Sequence, residues 1–257
     1  WSSSDAGIAT IGSTTGVTTA VSAGTATITY TRSNGCFATK IYTVNALPAA
    51  IGGTPTVCVG KTSTLTNATG GGAWTSTAPS FAPVGVSSGI VTGAAATPAT
   101  ITYTLSSGCY ATTGFTVNAI PSAIGGTRYA CEGLSTTLYN TVGGGTWSSS
   151  DAGIASVGST TGVTTGVSAG TATISYNGGC TVATRVATVN PTPVISGVTQ
   201  ACVSATSSLS GGIGGGTWIS SNIGVATIGS SNGVVTGVAG GTTTISYTLA
   251  SGCIGVQ

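Results

Sequence analysis

Between residues 170 and 190 hydrophobic and polar side chains alternate one for one. Ala172, Ile174 and Tyr176 are interleaved with Thr171, Thr173 and Ser175, the period-two signature of a strand with one buried face. The pattern returns at Ala26-Thr-Ile28-Thr-Tyr30, Thr100-Ile101-Thr-Tyr103 and Thr244-Ile245-Ser-Tyr247. Asn177-Gly-Gly179 follows as a hairpin signal, because Asn and Gly accept positive φ. Cys180 to Asn190 then reads as a long final strand. Upstream, strands are predicted at Leu134–Tyr139, Thr146–Ser148, Ile154–Val157 and Val163–Val167, with a first strand near Ala123-Ile124 and Tyr129-Ala130. About seven short strands separated by turn signals predict an all-β sandwich. β-branched residues and Gly argue against helix throughout.

The pattern is periodic on a larger scale. Trp1, Trp74, Trp147 and Trp218 are separated, by subtraction, by 73, 73 and 71 residues, and related text surrounds each. Trp1-Ser-Ser-Ser-Asp-Ala-Gly-Ile-Ala matches Trp147-Ser-Ser-Ser-Asp-Ala-Gly-Ile-Ala. A fixed period of this length predicts a tandem array of small domains, each closing its own core. Val44-Asn-Ala-Leu-Pro48, Val117-Asn-Ala-Ile-Pro121 and Val189-Asn-Pro-Thr-Pro193 are the joins, where Pro stops the preceding ladder. The expected modules are 1–46 (first strands missing), 47–119, 120–191 and 192–257 (end truncated). Both ends read as cuts in a longer array. Linkers this short favour an extended rod with limited bending. In each module the Trp and the Tyr that closes the alternating strand (Trp1, Trp74, Trp147 and Trp218, with Tyr30, Tyr103, Tyr176 and Tyr247) are expected in the core.

Composition changes the picture of the surface. Charged residues make up 3% of the chain, against about 25% in ordinary soluble domains. With 40% hydrophobic residues, this is not the composition of a disordered chain. The net charge of +2 is too small for the basic field that nucleic acid or an anionic membrane requires. No stretch is long and apolar enough to span a bilayer as a helix. A hydroxyl-rich, nearly uncharged surface lacks ordinary protection against association. It predicts burial against other chains or a coat of glycans, and both point outside the cell.

Gly-Val-Val235-Thr-Gly-Val-Ala-Gly-Gly-Thr-Thr-Thr-Ile245-Ser-Tyr, following Trp218-Ile-Ser-Ser-Asn-Ile-Gly-Val-Ala-Thr-Ile228, resembles the bacterial immunoglobulin-like repeat, group 2. The resemblance covers all four modules in order. It implies tandem immunoglobulin-like β-sandwiches and a place in secreted or surface proteins such as adhesin stalks and rods. Repeats of this family often carry more charge than these.

Seven cysteines, Cys36, Cys58, Cys109, Cys131, Cys180, Cys202 and Cys253, alternate at spacings of 22, 51, 22, 49, 22 and 51 residues, by subtraction. Each module has one site before its second strand and one at the start of its last strand. Regular cysteines in a small all-β module predict disulfides and an oxidising exterior. Without His or a C-x-x-C motif, metal is disfavoured. Pairing within modules would join Cys58 to Cys109, Cys131 to Cys180 and Cys202 to Cys253. Yet the two sites of one sandwich belong at opposite poles, roughly 30 Å apart along the final strand, and a disulfide needs Cα atoms within about 7 Å. Staples between neighbours, Cys58 to Cys180 and Cys131 to Cys253, meet that limit in a head-to-tail array. Cys36, Cys109 and Cys202 would then pair beyond these residues. Spacing alone leaves both schemes open.

Catalytic chemistry has little to work with. No His is present, and the acidic residues are Asp5, Glu132 and Asp151. Triads with His are therefore impossible, and Asp5 and Asp151 hold the same place two periods apart, which suits a turn residue bonding its own backbone. Gly70-Gly-Gly72, Gly143-Gly-Gly145 and Gly214-Gly-Gly216 lack the Lys and helix of a phosphate loop. They are expected to turn the chain tightly into the Trp strand. Asn67-Ala-Thr69 matches an N-glycosylation acceptor. The sequence thus predicts no enzyme, cofactor or metal. It predicts a structural extracellular protein that self-associates into a filament, sheath or surface layer, or else the stalk of a cell-surface adhesin whose binding domain lies elsewhere.

Overall fold

The computed structural model describes residues 1–257, and every regular element in it is a strand. Two compact units result, Trp1–Ala119 and Ile120–Gln257.

In the second unit the alternation seen in the sequence sorts side chains between two sheets. One sheet is ordered Gly125–Gly126, Ser135–Tyr139, Val163–Gly166, Ala155–Val157; the other is ordered Tyr129–Cys131, Val182–Asn190, Gly170–Asn177, Thr146–Ser149. Leu138, Trp147, Ile174, Tyr176 and Val189 meet between them as a buried core. The first strand is split. Gly125–Gly126 pairs antiparallel in one sheet, then Tyr129–Cys131 joins the other, parallel to the final strand. The split strand thus adds an edge strand to each sheet on the same side of the sandwich. A second sandwich follows, with sheets 196–197, 206–210, 234–237, 226–228 and 217–220, 245–248, 254–256 around Leu209, Trp218, Ile245 and Tyr247.

The first unit contains one sandwich of the same plan, formed by Gly52–Gly53, Thr62–Thr66 and Ile90–Thr92 over Thr56–Cys58, Tyr110–Asn118, Thr97–Leu105 and Gly72–Ser76. Before it, Ser2–Ser3, Gly24–Thr31 and Phe37–Val44 make a three-stranded sheet, and Ala9–Ile11 pairs with Thr18–Ala20.

Each core is organised by one cross-strand aromatic pair. Trp147 lies opposite Tyr176 in the ladder, with ring centroids 4.7 Å apart and planes tilted by 52°. Trp74 with Tyr103 and Trp218 with Tyr247 repeat the arrangement at 4.7 and 4.5 Å. The tyrosine is amphipathic, and its tip must find partners as its ring is buried. Tyr176 Oη accepts from the Gly145 amide at 2.8 Å and donates to the Val142 carbonyl. The glycine run that enters the Trp strand is thereby tied to the core. Gly144 sits at φ 79°, and a Cβ on Gly145 would run into the Tyr176 ring. One glycine supplies the turn and its neighbour the clearance.

Trp74, Trp147 and Trp218 are 4–7% exposed and Tyr103, Tyr176 and Tyr247 4–5%, whereas Trp1 and Tyr30 are 43% and 42% exposed. Trp1 and Tyr30 therefore depart from the core role expected of them. They still face each other at 4.7 Å.

The difference sets an expectation. Trp147→Ala should cost about 3–5 kcal/mol, the usual range for emptying a buried tryptophan site, while Trp1→Ala should cost clearly less. Tyr176→Phe should cost about 1–3 kcal/mol, because it leaves the Gly145 amide and Val142 carbonyl unpaired. Chemical denaturation followed at several wavelengths checks all three; equal losses for Trp1→Ala and Trp147→Ala would contradict the account.

Candidate functional site: the joint between sandwiches

The densest chemistry of the second unit lies where its two sandwiches meet. Cys131 ends the short strand that runs parallel to Val182–Asn190, and so sits at the pole where that sandwich hands over to the next. Cys253 precedes the last strand, Ile254–Val256, and is fully buried. The two form a disulfide with Cα atoms 5.6 Å apart across a sequence separation of 122. Pairing of Cys131 with Cys180, or of Cys202 with Cys253, is thereby excluded, and the polar separation of the two sites within one sandwich is the reason. Cys36, Cys109 and Cys202 are free thiols, while Cys58 and Cys180 are disulfide-bonded.

Glu132, next to the staple, braces the linker. Its Oε1 accepts from the Ala169 amide at 2.7 Å and its Oε2 from the Thr192 amide at 3.1 Å. Its own amide donates to the Asn190 carbonyl at 3.0 Å, and its carbonyl accepts from Thr192 Oγ1 at 3.0 Å. Three of these bonds fix Asn190-Pro-Thr192 against Glu132, and the fourth holds the carboxylate on Ala169 of the sandwich that precedes the linker. Bonds from backbone N–H to a carboxylate are stronger than neutral ones. Val59 and Val203 occupy the corresponding places in two other repeats, also next to a cysteine. The sequence reading missed this clamp; the signal was the single Glu of the chain at a position otherwise occupied by Val.

The remaining acids serve turns. Asp5 Oδ1 accepts from Gly7 and Asp151 Oδ1 from Gly153, each at 2.8 Å, and Asn222 does the same for Gly224 at 3.0 Å. An amide replacing the carboxylate without change of geometry shows that the oxygen, and not the charge, is what the turn uses. Asn67 is also engaged. Its Nδ2 donates to the Ala49 carbonyl at 2.6 Å and its Oδ1 accepts from Thr69 at 2.9 Å. Asn140, followed by Thr-Val and so outside any acceptor pattern, makes the matching bonds to Ser122 and Val142. The residue thus has a structural role independent of glycan attachment. No three of the Cys, Asp and Glu side chains come together as a metal-binding group. The broad hollow beside Leu209, Val235 and Ile245 is lined by apolar, hydroxyl and amide side chains.

No protein-family profile matches the chain, and no curated protein matches it. Several solved structures align with it at low identity. Invasin, a bacterial integrin-binding protein, aligns over 93% of this chain and 65% of its own length at 15% identity and a TM-score of 0.45. A C-terminal fragment of intimin, solved with the intimin-binding domain of its translocated receptor, aligns over 62% of this chain and 69% of its own at 18% identity and a TM-score of 0.42. Domains 4 and 5 of the S-layer protein SbsC align over 56% of this chain and 99% of their own at 18% identity and a TM-score of 0.27.

Non-reducing peptide mapping should return one peptide pair joining Cys131 to Cys253, and alkylation without reductant should label Cys36, Cys109 and Cys202. A Cys131–Cys180 or Cys202–Cys253 peptide would contradict the joint. Glu132→Ala should leave the staple intact and free the Ala169 and Thr192 amides, seen as faster hydrogen exchange at those two positions. Each lost bond to the carboxylate corresponds to about 1.5–3 kcal/mol of local opening free energy.

Proposed function

We propose that the chain is structural material of the cell exterior, an array of immunoglobulin-like modules that carries load and packs against other copies or surface glycans. The observation that carries this reading is the joint. A disulfide and a carboxylate clamp brace the linker between two sandwiches, and both devices resist separation and neither has a chemical use. Disulfides of this kind persist in oxidising compartments, which supports an extracellular setting.

The surface supports packing. Val182, Val186, Ile219 and Ile254 lie exposed on strands of the second unit, in a chain with eight charged side chains by addition of 5 and 3. Few charges stand in the way of contact with another apolar surface. The same joint would serve a stalk that holds an adhesive domain away from the cell, since series linkage is needed there too. Electron microscopy of native material separates the two: ordered polymers or sheets for building material, isolated cell-bound threads for a stalk. Catalytic turnover by the purified chain would refute both.

Load-bearing has its own measurement. In single-molecule stretching, the residues between Cys131 and Cys253 should stay hidden until a reductant is added. Extension should then grow by at least roughly 400 Å, the span of about 120 residues at 3.3–3.6 Å each. An oxidised chain that already stretches to full length would rule out a mechanical role for the staple.

A further inference from the structure

The staple of the joint has two unlike ends. Cys253 is fully buried and belongs to the core formed by Leu209, Trp218, Ile245 and Tyr247 of its own sandwich. The linker closes over the strand that follows it, so tightly that a Cβ on Gly255 would run into the Pro193 carbonyl. Cys131 is only half-buried, and it borders a hollow of about 260 Å³.

Tyr129 and Leu134 bound that hollow, with Thr127, Thr136 and Ser251 around them. Leu134 is 61% exposed. Tyr129 is held by its neighbour: the Arg128 guanidinium lies 4.9 Å above the ring, and Arg128 Nη2 donates to Tyr129 Oη at 2.6 Å. The hollow is therefore a recess with one fixed aromatic wall and a lining of apolar and hydroxyl groups.

This asymmetry governs how the bond can be opened. In thiol–disulfide exchange a thiolate must reach one of the two sulfurs, and the other leaves. At Cys253 the core leaves no approach; beside Cys131 the recess supplies one. Access, together with thiolate character, selects which cysteine is modified.

We propose that the recess admits a small-molecule thiol and that Cys131 is the residue it modifies. The thiolate attacks Cys131 Sγ, the Cys131–Cys253 bond breaks, and a mixed disulfide forms on Cys131. The electron pair leaves on Cys253 Sγ, which takes up a proton. Attack by Cys253 on the adduct expels the small thiol and restores the staple. The size of the recess sets the class, since it lies just below the roughly 300–1,000 Å³ of ordinary small-molecule pockets. The Glu132 bonds involve neither sulfur, so the linker stays braced while its covalent tie is open. The inference rests on the disulfide itself and holds whether or not the joint carries load.

The test exposes the oxidised whole chain to excess mercaptoethanol, quenches samples with acid over time and maps the peptides. The adduct should appear on Cys131, with Cys253 as the free thiol, in at least roughly tenfold excess over the reverse arrangement. Leu134→Trp sets a large ring at the mouth of the recess from an exposed position, and it should slow adduct formation several-fold. An adduct mainly on Cys253, opening with no Cys131 adduct at any time, a rate indifferent to Leu134→Trp, or a staple untouched until the chain unfolds would each overturn the proposal. The map of the untreated chain keeps this apart from the joint itself, which fails only if no Cys131–Cys253 peptide is present before thiol is added.

Discussion

Each complete sandwich depends on one contact: a leucine from one sheet pressed onto a tryptophan–tyrosine pair of the other. Leu138, Trp147 and Tyr176 are all nearly fully buried. With few charges available, hydrophobic burial and backbone hydrogen bonding must supply the stability, and burial of a large side chain contributes about 1.5–3 kcal/mol. The polar requirement of the tyrosine then fixes the glycine loop, because its hydroxyl needs the Gly145 amide and the Val142 carbonyl. No buried side-chain nitrogen or oxygen is left without a partner. The first 46 residues carry the same aromatic motif. They keep the aromatic pair, with Trp1 and Tyr30 half-exposed.

Much of this was legible in the sequence because strand alternation and turn residues are local signals. The strand expected around Ala172, Ile174 and Tyr176 spans Gly170–Asn177, and that expected from Cys180 begins at Val182. The hairpin glycines and the glycine runs before Trp74, Trp147 and Trp218 have the roles their chemistry implies. The polar placement of the two cysteine sites followed from the sandwich reading and the length of the final strand, which left both pairing schemes open; Cys131 pairs with Cys253. Non-local features were not legible. The exchange of Tyr129–Cys131 into the second sheet depends on pairing with a strand more than fifty residues away. Glu132 reads as a solvated acid until the fold brings Ala169 and Thr192 to its two oxygens.

The joint and the cores solve different problems with different forces. Burial holds a sandwich together, but it scales with area and falls away quickly once two bodies part. A linker as short as Asn190-Pro-Thr-Pro193 offers little area of its own. The second unit replaces area with directional bonds there: two carboxylate contacts, two backbone-level contacts at Glu132, and one covalent bond. A disulfide spanning more than a hundred residues also restricts the unfolded chain, which by loop entropy alone is worth about 4–5 kcal/mol. Its location matters as much as its magnitude. It ties the entry pole of one sandwich to the last strand of the next, so that neither can unravel from that end while the bond holds. That is a constraint on extension rather than on chemistry, and it is what supports the proposed role in carrying load.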